Sequence, residues 1–383
     1  MAGHTADGKH YQPLLFLVLT RPLKEYIDQF LADASPMSQS LASCRVRGEN
    51  VCNFNSKRSG CKAILAAVSI ILSATDASAV DPQDLRNCQD DADLPRMITA
   101  CTNLSQDAGL PPGARSMALL KRGFGNYALG NIDAAQADFS EAIRLNPKNN
   151  YAHHELGLAL AKKGDLTRAI ASLTEAINLD PASAASRFSR GQIYLSADRL
   201  DEAIQDFTDA IKLGADKNTA FTKDQVVDRP KANRVTTDYY AARADAYYLR
   251  GNFNDAASDY DHAAEFSDPE GYYLIWGSVA RTKGGSADAD IVLSAALDKG
   301  QLKDWPKPIG ELLAGRITPA AAVAAAKNAD QICEAHYYSG IAQLKVKDST
   351  SAQKEFTSAR DGCPRSFREY RAAVADLKRL KSQ

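Results

Sequence analysis

The chain has 383 residues, of which 45% are hydrophobic and 24% charged, and its formal net charge is −1. This composition predicts a globular protein with ample apolar material for a core, arranged as two or three domains or as one elongated repeat array. The small charge argues against nucleic acid or an anionic membrane surface as the main partner, and no apolar run reaches the roughly 18 residues that a membrane span needs.

The first predicted element is a secretory signal peptide at residues 51–79. Basic residues precede the apolar run Ala63–Leu72, and the run is followed by the small-x-small sequence Ala77-Ser78-Ala79. These features match the n-region, the h-region and the cleavage site of an exported protein. We therefore expect cleavage between Ala79 and Val80.

Residues 1–50 precede this signal and show neither a repeat nor a helical stripe. We interpret them as a non-native or disordered extension, because translation that begins near Val51 gives a signal peptide of ordinary length. The alternative is a genuine, poorly ordered extension.

Behind the signal, residues 80–115 predict an atypical N-terminal helical hairpin, and a regular repeat fills 116–214. Its period of about 34 residues is typical of stacked helical hairpins. The positions in phase are Gly123, Gly157 and Gly191, then Ala135, Ala169 and Ala203, then Phe139, Leu173 and Phe207, with Pro147 and Pro181 at the unit ends.

These units resemble tetratricopeptide repeats, which have a small residue midway along the first helix and an alanine and an aromatic residue on the second. The resemblance implies an all-α solenoid of helical hairpins, a right-handed superhelix whose first helices line a concave groove for a partner's peptide. Carried over residue by residue, the groove positions are Met117, Leu120, Phe124, Tyr127, Tyr151, His154, Leu158, Phe188, Gln192, Asp238, Asp245 and Tyr248.

The predicted groove is aromatic and apolar. Leu120 and Phe124 stand where chaperone-binding relatives carry the Lys and Asn that clamp a carboxylate. We therefore expect an amphipathic helix or an extended apolar peptide as the partner, rather than an acidic C-terminus. The alternative is that several of these aromatic residues belong to the internal packing, covered by the N-terminal hairpin.

A polar insertion interrupts the repeat at residues 215–236. It has no helical stripe and predicts a long loop, either functional or a tolerated surface insertion. Residues 237–300 then predict a fourth repeat and a degenerate one, because Tyr260 follows Phe207 by 53 residues, which is one repeat period of 34 plus 19 inserted residues.

A Pro-punctuated connector and an Ala-rich helix are predicted at 301–332, and a terminal repeat with a capping helix at 333–383. The order of a Trp-Pro connector, the helix "CEAHYYSG", a repeat and the helix "EYRAAVADL" resembles the NlpI-type periplasmic repeat proteins of Gram-negative bacteria. That resemblance implies an adaptor for other cell-envelope proteins. NlpI-type proteins carry a lipid anchor, whereas no lipidation cysteine follows the apolar run here, so we expect a soluble periplasmic protein.

Four cysteines follow the predicted cleavage site. An even number fits an oxidising compartment, with four free, buried thiols as the alternative. Because the start of one helix in a hairpin lies beside the end of the other, we expect disulfides between Cys333 and Cys363 and, in the same way, between Cys88 and Cys101.

No catalytic, cofactor-binding or metal-ligating pattern emerges from the sequence. The segment "GFGNYALG" imitates a dinucleotide fingerprint, but no strand is predicted before Gly123. No two histidines have the i, i+4 spacing of a helical zinc site. We therefore predict a non-catalytic periplasmic scaffold for envelope proteins. The alternatives are a structural or self-associating subunit, and an enzyme whose site lies in the inserted loop and residues 300–326.

Overall fold

The structure is a computed structural model that describes residues 80–219, 229–266, 268 and 270–382. The predicted extension at 1–50 and the signal peptide at 51–79, with Ala79, lie outside the described residues. Within those ranges the chain forms seventeen helices and no strand, which confirms the predicted all-α class.

In chain order the helices are α1 (Pro82–Asn87), α2 (Leu94–Gln106), α3 (Pro112–Ala128), α4 (Ile132–Leu145), α5 (Asn150–Lys162), α6 (Leu166–Leu179), α7 (Ala184–Ser196), α8 (Leu200–Thr219), α9 (Arg229–Arg250), α10 (Phe253–Phe266), α11 (Tyr272–Lys283), α12 (Ala289–Asp298), α13 (Pro306–Leu313), α14 (Pro319–Ala325), α15 (Ala329–Lys345), α16 (Ser349–Gly362) and α17 (Arg368–Lys381).

Helices α3 to α8 form three successive hairpins in the region of the predicted repeat. In each hairpin the recurring glycine of the first helix faces a large side chain of the second helix. A Cβ atom added at Gly123 would lie 2.6 Å from the Phe139 ring, and one at Gly157 would lie 2.7 Å from Leu173. The glycine is therefore required because the two helices approach so closely that a larger residue would displace the facing side chain.

Arginine bridges tie neighbouring hairpins together. In each bridge an arginine of the first helix binds an aspartate of the second helix and a threonine of the preceding unit. Arg190 Nε donates to Asp206 Oδ2 at 2.8 Å, and its Nη1 donates to Thr174 Oγ1 at 3.0 Å. The equivalent bridges join Arg122 to Asp138 and Thr102, and Arg243 to Asp259 and Thr208.

Hairpin α5–α6 is the exception among these repeats. One repeat period carries the arginine position from 122 to Leu156 and the aspartate position from 138 to Ser172. Leu156 instead packs against the two apolar clusters on either side of it. The second repeat therefore depends on apolar packing where the others have a charged bridge.

The polar insertion is helical at both of its ends. Helix α8 continues to Thr219 and α9 begins at Arg229, whereas residues 220–228 lie outside the described residues. The prediction of a loop across all of 215–236 is therefore wrong at its ends. Residues 215–219 contain neither Pro nor Gly, the two residues that most disfavour a helix interior, so the sequence of this segment does not force α8 to end.

The C-terminal half is built around an aromatic cluster. Trp276 is 1% exposed, and its ring lies 5.5 Å from that of Tyr248 and 5.4 Å from that of Tyr337. The predicted connector at 301–332 contains the two short helices α13 and α14, and Ile309 of α13 is fully buried. The next helix, α15, begins at Ala329 because the Asn328 side chain caps it.

Helix α17, the predicted cap, packs on α16 and also returns to α9. Arg368 Nε lies 2.6 Å from Asp245 Oδ1. Arg379 Nη2 donates to the carbonyl oxygens of Tyr248 and Leu249 at 2.8 and 2.7 Å. The C-terminal helix therefore covers part of the fourth repeat as well as the last hairpin.

Both expected cysteine pairs are joined in the structure. Cys88 and Cys101 link the end of α1 to α2 with a Cα–Cα distance of 4.9 Å, and Cys333 and Cys363 link α15 to the end of α16 with a distance of 5.1 Å. The two bonds lie in the first and the last hairpin of the described helices.

Candidate functional site

The predicted groove residues lie on α3, α5, α7 and α9. Apart from Asp238 and Asp245 there are ten of them, and they divide into two groups by solvent exposure. Four are buried, namely Leu120, Phe124, Phe188 and Tyr248. The others are partly exposed, and we call this set the groove face: Met117, Tyr127, Tyr151, His154, Leu158 and Gln192.

The four buried residues correct the sequence-based assignment. The Phe188 ring lies 5.6 Å from Phe207 and 4.8 Å from Tyr239, so it is part of the packing between α7, α8 and α9. Leu120 belongs to the apolar cluster around Phe139. The position of a residue in the repeat places it on the inner side of its helix, but neighbouring side chains decide whether it is covered.

Tyr248 is removed from the groove by the C-terminal helix. Its hydroxyl group donates to Asp376 Oδ2 of α17 at 3.0 Å and shares a hydrogen bond with Tyr337 at 2.7 Å. Asp245 is 5% exposed beside Arg368, whereas Asp238 remains partly exposed. The fourth repeat therefore has its inner face largely occupied by the chain itself.

The groove face is built mainly from α3 and α5. Met117, Tyr127 and Tyr151 pack at the edge of one apolar cluster that also contains Leu120 and Phe139. Each of the three keeps part of its side chain exposed. These side chains give a half-buried apolar and aromatic surface on a rigid support, which is the composition of many binding sites for protein segments.

His154 connects two hairpins within the groove face. Its Nδ1 atom lies 3.0 Å from Ser186 Oγ of α7. Burial lowers the pKa of His154 to about 4, so the imidazole is neutral at physiological pH. The residue therefore acts as a neutral hydrogen-bonding partner rather than a charged one.

Glu155 is a residue of this site that sequence reasoning missed. The residue is partly exposed, but its Oε2 atom is almost completely enclosed and has no hydrogen-bond partner among the described residues. Burial raises the pKa of Glu155 to about 7, and burial together with the nearby Glu155 raises the pKa of Tyr127. One period earlier stands Lys121, which pairs with Asp91 at 3.2 Å. The signal was available in the sequence as an acidic residue directly beside a groove position.

A second titratable group lies in the C-terminal half. Glu334 Oε2 accepts hydrogen bonds from Trp305 Nε1 at 2.7 Å and from the Tyr272 hydroxyl at 3.2 Å. Nearby, Glu369 Oε1 accepts from the Tyr338 hydroxyl at 2.8 Å. Burial and the adjacent Glu369 raise the pKa of Glu334 to about 8. Because both carboxyl groups are buried with their aromatic donors, this arrangement joins α11, α13, α15 and α17.

In the described ranges, no three His, Cys, Asp or Glu side chains lie together as a set that could hold a metal ion. None of the helices described here combines the length and the apolar character that crossing a bilayer requires.

A family model described as "Tetratricopeptide repeat" matches residues 126–184 and 162–218. No curated protein sequence matches the chain significantly. Similar solved structures include a tetratricopeptide repeat protein from Parabacteroides merdae, with 15% identity and a TM-score of 0.45 over 70% of this chain and 99% of that one.

Two further structures are similar at the same level. PilF of Pseudomonas aeruginosa has 14% identity and a TM-score of 0.41 over 68% of this chain and 97% of that one. MamA from Desulfovibrio magneticus has 17% identity and a TM-score of 0.40 over 50% of this chain and 94% of that one. Likeness at this level identifies no partner, so the site is assigned from the residues of this chain.

Proposed function

We propose that this chain, whose residues 126–218 match the tetratricopeptide repeat family, is a non-catalytic scaffold that binds other proteins of the cell envelope through its groove face. Stacked hairpins bind partners on surfaces that several repeats build together. The observation that carries the proposal is the row of partly exposed apolar and aromatic side chains on successive first helices, such as Met117, Tyr127 and Leu158. Such a surface fits the apolar face of an amphipathic helix.

The proposal includes export to the periplasm of a Gram-negative bacterium, as a soluble protein. The signal-peptide pattern at 51–79 supports it. The bonds Cys88–Cys101 and Cys333–Cys363 support it as well, because disulfides persist in oxidising compartments and are rare in the cytosol.

Affinity capture from the envelope fraction of the native organism tests the proposal. Wild-type protein is compared with a Tyr127→Ser/Leu158→Ser variant and with a matched control, Ala137→Ser/Ala171→Ser, at two exposed positions on α4 and α6. We expect wild type and control to capture the same partner and the groove variant to lose it, with unchanged helicity by circular dichroism. Equal capture by all three proteins would contradict the proposal.

A further inference from the structure

Helix α17 of the chain itself packs against a groove position of the fourth repeat, at Asp245. Asp245 follows Gln192 by 53 residues, which is one repeat period of 34 plus 19 inserted residues, and so occupies the same repeat position. Helix α17 lies against it, with Arg368 Nε at 2.6 Å and Arg371 Nη2 at 4.0 Å from the Asp245 carboxylate. The occupant is thus an amphipathic helix that presents arginine to a buried carboxylate.

The second repeat carries a carboxylate, Glu155, one helical turn before Leu158, the residue equivalent to Asp245. Glu155 lies on α5 beside the groove face and is partly exposed as a residue, whereas its Oε2 atom is enclosed and has no hydrogen-bond partner among the described residues. The neighbouring position, which carries an arginine in the first, third and fourth repeats, is Leu156. A buried carboxyl oxygen without a donor costs free energy, and no donor among the described residues reaches this one.

We propose that Glu155 is the anchor for an arginine or lysine side chain on an amphipathic helix of a partner protein, which lies on the groove face with its apolar side toward Met117, Tyr127 and Leu158. This inference rests on the proposed function and adds the charge of the partner to it. Asp245 and α17 are the internal precedent for the contact, and charge complementarity selects a basic helix over the acidic or neutral ones that an apolar surface alone would accept.

The probe is a fluorescent peptide with the sequence of α17, REYRAAVADLKRLK, and a second peptide in which the residues equivalent to Arg368 and Arg371 are Gln. Binding of both to the full exported chain is measured by fluorescence anisotropy for wild type, Glu155→Gln and the matched control Glu175→Gln, an exposed residue on α6. The four combinations of wild-type or Glu155→Gln protein with either peptide form a double-mutant cycle, which isolates the contact between the two charged groups.

We expect wild type and Glu175→Gln to bind the arginine peptide equally. Glu155→Gln should weaken it by about 10- to 100-fold, as expected when one partner of a charged hydrogen bond is lost. The glutamine peptide should bind wild type and Glu155→Gln alike. Thermal melting by circular dichroism checks that Glu155→Gln is folded, which we expect because the change removes an unpaired buried acid.

Several outcomes would overturn the anchor. They are equal binding of the arginine peptide to wild type and Glu155→Gln, no coupling in the cycle, or no binding of either peptide to wild type. A wild-type dimer that Glu155→Gln dissociates, seen by analytical ultracentrifugation, would assign the surface to a second copy of this chain instead. If partner capture still depends on Tyr127 and Leu158 while the cycle shows no coupling, the proposed function stands and only the anchor fails.

Discussion

Arg379 donates a hydrogen bond from Nη2 to the backbone carbonyl oxygen of Tyr248 at 2.8 Å, across 131 residues of sequence. The contact joins the last helix of the chain to the last turn of α9, where carbonyl groups have no partner within the helix. Beside it, Asp376 is fully buried and accepts from Lys283 Nζ at 2.7 Å. The cap therefore stabilises the middle of the array as well as its end.

Replacing Asp376 by Ala tests this role. The change leaves Lys283, whose side chain is only 11% exposed, without its carboxylate. Breaking a buried pair from one side typically costs about 3–5 kcal/mol, so the urea midpoint of unfolding should fall clearly. Asp361→Ala, which removes an exposed ion pair of α16, is the control and should leave the midpoint unchanged. An equal effect of the two changes would refute a stabilising role for the cap.

The arginine bridges predict an unusual order of stabilities. Arg190→Ala should destabilise the protein strongly, because Asp206 is 4% exposed and loses its cation. Arg190→Leu/Asp206→Ser copies the pair Leu156 and Ser172 of the second repeat and should recover part of the loss, since no buried charge remains unpaired. Urea denaturation measures both variants. A double variant that is less stable than Arg190→Ala would show that the bridge stabilises the fold by more than pairing the buried charge of Asp206.

Stability should fall as the pH rises through the titration of Glu334. Burial and the adjacent Glu369 raise its pKa from 4.5 to about 8 in the folded protein. Between these values the folded state holds a proton that the unfolded state has released. This contribution is therefore complete below about pH 4.5, decreases as the pH rises, and is lost above about pH 8.

The variant Glu334→Gln does not titrate and should keep the hydrogen bond from Trp305. Its melting temperature relative to wild type should therefore rise between pH 5 and pH 9, as followed by tryptophan fluorescence. The titratable groups that face Glu334 are Glu369, Asp330, Tyr272 and Tyr338, and all of them remain in the variant. Glu311→Gln is the matched control, and its melting temperature should follow that of wild type across the pH range. Melting temperatures of Glu334→Gln and wild type that change with pH in the same way would contradict the assignment.

The disulfides and the export signal give one joint prediction. Mature protein purified from the periplasm should begin at Val80 by N-terminal sequencing, and non-reducing peptide mapping should find the bonds Cys88–Cys101 and Cys333–Cys363. Cys333→Ser/Cys363→Ser should lose up to about 3–4 kcal/mol of unfolding free energy, because the bond closes a separation of 30 residues. Free thiols at all four positions, or a Cys88–Cys333 bond, would exclude this arrangement.

The hairpins follow from the sequence because their cause is local. Gly123 and Phe139 face each other within one unit, so the same contact recurs once in every repeat and marks the sequence with a period. The disulfide pairs were predictable for the same reason, since each lies within one hairpin. Repetition turns a contact between helices into a visible pattern.

The candidate site was only partly predictable, because its exposure depends on contacts between units. Phe188 occupies a groove position but is covered by Tyr239. Tyr239 follows the insertion, so the repeat period does not fix its distance in sequence from Phe188. The return of α17 to Tyr248 is a single long-range contact that no period records. Glu155 makes no contact that a period could record, since its Oε2 atom has no hydrogen-bond partner among the described residues.

The central claim is that the groove face binds a partner protein, and site-specific photo-crosslinking in living cells tests it most directly. A photoreactive amino acid is placed at Leu158 on the groove face or at the exposed Ala171 on the second helix of the same hairpin. We expect a discrete crosslinked partner from position 158 and none from position 171. The crosslink from position 158 should disappear when Tyr127→Ser is added. The same adducts from both positions, or adducts from position 171 alone, would contradict it.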